Sequence, residues 1–288
     1  LIFQIQHRIT YRYDHPVIIE PLTIRLRPRS DGVQNLLDWN CTLTPTPLHA
    51  TSILDVFSNA ALQVSFSGVH LELCVQVDAS VETIHRNPFD YLSLDSRATN
   101  LPARYSADVA QALTAYLHRK KVDPQIDQWS SELARSVGNQ TQAFLLQATE
   151  KISRDYQSEN RYDGAAFSPT ETFASKRGAC RDLAVLFMDV CRSQGIASRF
   201  VSGYIHEPDR VGSSELHAWA EVYLPGGGWR GYDPSRGIAV ADQHIPVATG
   251  PEAEWAAATE GCYIGTGTDS SIDYEVMVTQ CQAANRSV

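Results

Sequence analysis

The chain lacks any uninterrupted apolar run near the ~18 residues that a membrane-spanning helix requires, so no membrane span is expected. It also lacks a basic run: 24 Lys and Arg stand against 33 Asp and Glu, for a formal net charge of -9. Such a surface repels a phosphate backbone on average, which removes nucleic acid from the expected partners. Cysteine is sparse. Cys41, Cys74, Cys180, Cys191, Cys262 and Cys281 form no CxxC pair, and the nearest two lie eleven positions apart. That is neither a disulfide framework nor a zinc-ligand spacing, so no metal is expected. Mostly free thiols in a reducing cytosol are the simplest reading, and a cytoplasmic location is expected. Internal repeats and low-complexity segments are absent. The opening residues, LIFQIQHRITYRYD, alternate apolar and polar types where a secretory leader would carry an apolar core.

What is present is an ordinary globular composition, 43% hydrophobic and 20% charged. At about 100–200 residues per domain, 288 residues make one large or two modest domains. Residues 1–95 read as β. The runs 2–9, 22–27 and 69–77 alternate with period two, the pattern of half-buried antiparallel strands. Pro21, Pro28, Pro45, Pro47 and Ser30-Asp31-Gly32 punctuate them. An N-terminal antiparallel β-sandwich-like domain over 1–95 is predicted, then a second unit over 96–288, with a linker near 87–105. From Ser106, a candidate N-cap, the period lengthens. Val109, Leu113, Tyr116 and Leu117 share one helical face. Trp129, Leu133 and Val137 mark another helix, and Phe144, Leu145, Ala148 and Ile152 a third. A strongly apolar helix ending at Gly195 comes next, then strands near 197–205, 216–224 and 229–232. The tail, 263–280, alternates again and is expected to close the sheet. Blocks of strands and helices, rather than strict βαβ alternation, argue α+β.

One cysteine has a distinctive setting. Ser175-Lys176-Arg177-Gly178-Ala179-Cys180-Arg181-Asp182 runs directly into the apolar LAVLFMDVCRSQG. Gly178 permits a sharp backbone path, and Cys180 falls in the first turn of a buried helix. Unpaired N–H groups and the positive dipole end gather there, which favours a thiolate and can serve an oxyanion. The bland alternative is a small apolar residue packed at a helix start. Cys191, deep in the same helix, reads as core.

His217 opens the strand pattern His217-Ala218-Trp219-Ala220-Glu221-Val222-Tyr223-Leu224. His217, Trp219, Glu221 and Tyr223 share one face. After a Gly-rich turn comes Trp229-Arg230-Gly231-Tyr232-Asp233-Pro234-Ser235. A hairpin here brings Asp233 near His217, but parity matters. With a four-residue loop at 225–228, Asp233 would lie opposite Ala220 and face away; the pairing needs an odd loop or a bulge. Alone, His217 reads as an idle strand residue and Asp233 as ordinary turn chemistry. Together with Cys180 they make a nucleophile, a base and an orienting carboxylate.

These segments resemble the bacterial transglutaminase-like superfamily: GACRD at 178–182, SRFVSGY at 198–204, HAWAEVYLPGGGW at 217–229 and YDPS at 232–235. RITYRYDHPV at 8–17 and LTIRLRPR at 22–29 resemble the β domain that precedes the core in many bacterial members. The resemblance implies a papain-like core, a Cys180–His217–Asp233 triad, and cysteine-dependent acyl transfer on a peptide or protein amide. No cofactor is implied. Hydrolysis is the favoured outcome, transfer to an amine the alternative, and a non-catalytic peptide-binding module the rival from another class. Tyr162 sits where relatives place an aromatic residue near the cysteine, an oxyanion candidate whose bland reading is a core tyrosine. Trp219 is a candidate to shield the cleft, against simple packing. After Asp233 the chain departs from the pattern: Thr249-Gly250-Pro251-Glu252-Ala253-Glu254-Trp255 stands where relatives carry a Gly-Arg-Asp-Tyr-like stretch.

Overall fold

The computed structural model describes residues 1–92, 95, 97–161, 164–207 and 216–281. The front of the chain is β throughout. The strands are β1 (Ile2–Ile19), β2 (Leu22–Ile24), β3 (Gln34–Thr44), β4 (His49–Leu54), β5 (Ala60–Ser65) and β6 (His70–Thr83). Helices α1 (Ala107–Ala112), α2 (Thr114–Leu117), α3 (Pro124–Ser136) and α4 (Thr141–Asp155) follow. The two-residue strands β7 (Gln157–Ser158) and β8 (Arg177–Gly178) bracket α5 (Pro169–Ser175) and pair in parallel. Helix α6 (Cys180–Ser193) then leads into β9 (Ser198–Ile205), β10 (His217–Leu224), β11 (Gly228–Asp233), β12 (Ile238–Ala239) and β13 (His244–Gly250). The chain ends in β14 (Thr259–Glu260), β15 (Tyr263–Ile264) and β16 (Ser270–Cys281).

Strand alternation does what the sequence predicts. In β1, Phe3, Ile5, His7 and Ile9 are buried while Gln4, Gln6 and Arg8 face solvent. β1 is held by β6 on one edge and by β16 on the other, with β15 continuing along it. A second sheet, β14-β2-β5-β4, shares the same apolar cluster through Leu22, Ile24 and Val64. The fold is thus mixed α and β, with antiparallel sheets and a helix-bearing core, as the α+β reading expects.

The tail differs from expectation. The sequence reading left 96–288 to the second unit, yet β14, β15 and β16 pair with β2 and β1. Both ends of the chain therefore build the front sheets. Alternation marks 270–281 as a strand, but period two carries no information about which sheet receives it. The predicted helix over 106–117 is also two pieces. Ser106 takes the N-cap position, yet its side chain makes no capping bond. Leu113 is buried at the break between α1 and α2.

The second half centres on a five-stranded sheet, β12-β11-β10-β9-β13, with α6 packed on β10 and β9. Leu183, Ala184, Leu186, Phe187, Val190 and Cys191 of α6 are fully buried. The helix ends in a Schellman turn. Gly195 has φ +74°, its N–H donates to Arg192 O, and the Ile196 N–H donates to Cys191 O. At its other end, α6 brings Cys180 to His217 at the start of β10.

Candidate active site

The start of α6 is built around Asp182. Its Oδ2 accepts the Ala179 N–H at 2.8 Å, and its Oδ1 accepts Arg161 Nη2 at 2.6 Å and the Phe167 N–H at 2.7 Å. One fully buried carboxylate thus caps the helix and straps the preceding loop to it. Gly178 is required by the same packing: a Cβ there would stand 2.7 Å from Asp182 Cβ. The first intrahelical bonds run from Asp182 and Leu183 to Ala179 O, so the Cys180 N–H precedes them and points out of the helix start. Cys180 itself is partly exposed. The contrast with other thiols is clear. Cys191 is fully enclosed, and burial pushes its thiol well up; Cys41 is pushed up to about 11 by the same cause.

The β10–β11 hairpin fixes the other two groups. Leu224 pairs with Gly228 and Ala220 with Tyr232, so the loop is the three residues 225–227. The loop is odd, the parity that the His217–Asp233 pairing needs. Asp233 falls on the face shared by His217 and Trp219, and Asp233 Oδ2 lies 2.6 Å from His217 Nε2. The carboxylate accepts only, so Nε2 carries the proton, and Nδ1 is left to meet Cys180. Burial alone would lower the His217 pKa. The Asp233 charge and hydrogen bond, joined by a hydrogen bond with Cys180, outweigh it and raise the imidazole to about 10. For Asp233 burial acts upward, but His217 and His244 together hold it well below the usual carboxylate range.

Asp233 fulfils both of its sequence readings at once. Its Oδ1 closes the turn, accepting the Ser235 N–H at 3.0 Å, Ser235 Oγ at 2.7 Å and the Arg236 N–H at 3.3 Å. Its Oδ2 serves the histidine. A second imidazole reaches that same oxygen: His244 Nε2 lies 3.1 Å away. Sequence reasoning missed His244, which opens β13 at the same end of the sheet. The three ligand-type groups His217, Asp233 and His244 converge within 4.8 Å, and each histidine turns its Nε2 to the carboxylate.

Trp219 is fully buried, stacked 6.1 Å from His217 and edge-on to His244 at 5.1 Å. It is a floor beneath the two imidazoles rather than a wall of an open cleft. Gly203 makes the room, since a Cβ there would lie 2.6 Å from the Trp219 ring and 2.3 Å from Ile245 O. Tyr162, the oxyanion candidate, lies outside the described residues.

Residues 127–234 match the transglutaminase-like superfamily, and residues 3–82 match the bacterial transglutaminase-like N-terminal region. An uncharacterised Mycobacterium leprae protein is 26% identical over 283 residues, covering 96% of this chain and 98% of its own. An uncharacterised Mycobacterium tuberculosis protein is 24% identical over 289 residues, covering 96% of this chain and 92% of its own. Among solved structures, a Cytophaga hutchinsonii protein described as a candidate cysteine protease superposes with a TM-score of 0.72 at 19% identity. That match covers 98% of this chain and 92% of the other, and it speaks to the fold.

Proposed function

We propose that this chain, which belongs to the transglutaminase-like superfamily, carries out cysteine-dependent acyl transfer on peptide or protein amides, with Cys180 as nucleophile, His217 as base and Asp233 as the group that orients His217. The observation that carries the reading is the buried 2.6 Å contact between His217 Nε2 and Asp233 Oδ2, set beside a partly exposed cysteine at a helix start. In the proposed reaction the Cys180 proton passes to His217 Nδ1, and sulfur bonds to the substrate carbonyl carbon. The resulting oxyanion takes hydrogen bonds from the first-turn N–H groups of α6. The C–N bond then breaks, the proton on His217 goes to the departing amine, and a thioester remains. Water attacks that thioester, returning a proton through His217, and a carboxylic acid leaves. Transfer to a second amine would replace only this last step. Hydrolysis is the reading we favour. A peptide-binding module that performs no chemistry is the competing one.

The test is timed iodoacetamide labelling near about pH 6, read by mass spectrometry on wild type, Cys180→Ala and His217→Ala. Exposed Cys262 serves as the internal reference thiol. Cys180 is expected to label at least about tenfold faster than Cys262 and to lose that advantage when His217 is removed. Equal rates at the two sites would leave the binding module as the better account. A screen of amide and peptide substrates, with and without added amines, then separates hydrolysis from transfer.

A further inference from the structure

Asp233 Oδ2 has more donors than an orienting carboxylate requires. Oδ1 already has three donors from the 235–236 turn, so the carboxylate cannot swivel even without His244. Yet His244, 3% exposed, spends its Nε2 on the oxygen that faces His217. The contact carries chemical information because a carboxylate accepts only, so His244 must present an N–H there. Its other nitrogen, Nδ1, is buried without a partner, which suits the lone pair of a neutral ring better than a second N–H. The neighbours agree. Burial lowers the pKa of His244, Asp233 opposes that, and His217 and Arg236 add to the lowering. Arg236 is itself paired with Glu207, and Cys180 stands on the far side of His217.

We propose that His244 is a positioning residue that acts through Asp233, a neutral donor that shares Oδ2 with His217 and so moderates the charge that holds the His217 proton. The inference rests on the proposed roles of His217 and Asp233. Its physical content is a competition. A donor to a lone carboxylate is worth more than the same donor to a carboxylate already paired with an imidazolium. The His244 N–H therefore favours the state in which His217 has released its proton. Acyl transfer needs that release, because the proton must pass to the departing amine. Without His244, the buried pair grips its proton too tightly to be an efficient acid.

The experiment uses protein carrying ¹⁵N-histidine, with the imidazole signals of His217 and His244 assigned by His217→Ala and His244→Gln. In wild type, His244 is expected to remain a neutral Nε2–H tautomer while His217 titrates. In His244→Phe, the His217 midpoint is expected to rise by about half a pH unit or more, and in His244→Gln, whose amide still donates, to return close to wild type. Cys180 labelling rates, followed across the same pH range, should move with that midpoint. An unchanged His217 midpoint in His244→Phe overturns the inference, as does a wild-type His244 that titrates as a cation alongside His217. The wild-type spectrum decides the tautomer even where His244→Phe fails to fold. If wild-type Cys180 labels quickly and depends on His217 while His244→Phe leaves the His217 midpoint in place, only this inference falls. If Cys180 labelling is indifferent to His217, the acyl-transfer reading falls with it.

Discussion

Asp233 concentrates the chemistry of the site in one side chain with five hydrogen-bond donors around it. Asp233→Asn keeps the volume but replaces one acceptor oxygen with an NH₂ and removes the charge that sustains an imidazolium. Cys180 labelling by iodoacetamide near neutral pH is expected to slow by about 10²-fold or more, with thermal stability falling less steeply. Three of the residues gathered here were legible because each carries its own local context. Cys180 follows a glycine into an apolar helix, His217 opens a strand, and Asp233 closes the hairpin that returns to it. His244 was not legible. It meets Asp233 only because β13 lies beside β9 and starts at the same end of the sheet, and strand order is a long-range property that period-two patterning does not encode. Trp219 was legible as an aromatic on the His217 face, but its complete burial depends on the space left at Gly203, a neighbour across strands.

The elements that deliver these residues depend on a few glycines, each for a stated reason. Gly195 sits at φ +74° after α6, and a Cβ there would meet Ala103 O at 2.5 Å. Gly195→Ala is therefore expected to destabilise the fold by about 2–3 kcal/mol, combining left-handed strain with the collision, and thermal unfolding would register it. The same substitution at Gly32, with nothing within 4 Å and no positive φ, is the control and should be close to neutral. At this scale the sequence is informative about boundaries that have a chemical stop, such as Gly195. It is weaker where a helix is short. The 106–117 segment has the apolar period of a single helix, but α1 has no buried side chain of its own and its N-cap makes no side-chain bond, so tertiary packing at Leu113 sets where it breaks. The β10–β11 loop shows the limit well: parity could be demanded from the sequence, while the count of three came from pairing in space.

Front sheets and core share one apolar cluster, and buried polar bonds between them add to it. Glu221 on β10 takes Arg199 at 2.6 Å and Arg29, from the front segment, at 3.1 Å; burial acts to raise it, but the two guanidinium charges lower it to about 2. Arg29→Met leaves that carboxylate half-paired and is expected to cost about 2–4 kcal/mol, read as a lower denaturant midpoint. His7 on β1 meets Tyr204 of β9 at 3.0 Å, and burial pulls its imidazole down from 6.5 to about 4. The unfolded chain binds that proton more readily, so this group's share of stability is complete above about pH 6.5 and is lost as pH falls toward about 4. His7→Gln should flatten the unfolding free energy across that window, by up to about 3 kcal/mol at its acid end. The sequence foretold a β unit ahead of an α+β core but not the route of the tail, because alternation identifies 270–281 as a strand without naming its partner. That route has a consequence for biosynthesis. β1 pairs along most of its length with β16, which leaves the ribosome more than two hundred residues later. Until residues 270–281 are made, one long edge of β1 stands open to other nascent chains, with its N–H and C=O groups unpaired. Of the polar groups that alternate along it, Arg8, Arg12 and Asp14 supply the charge that discourages a foreign strand until the proper one arrives.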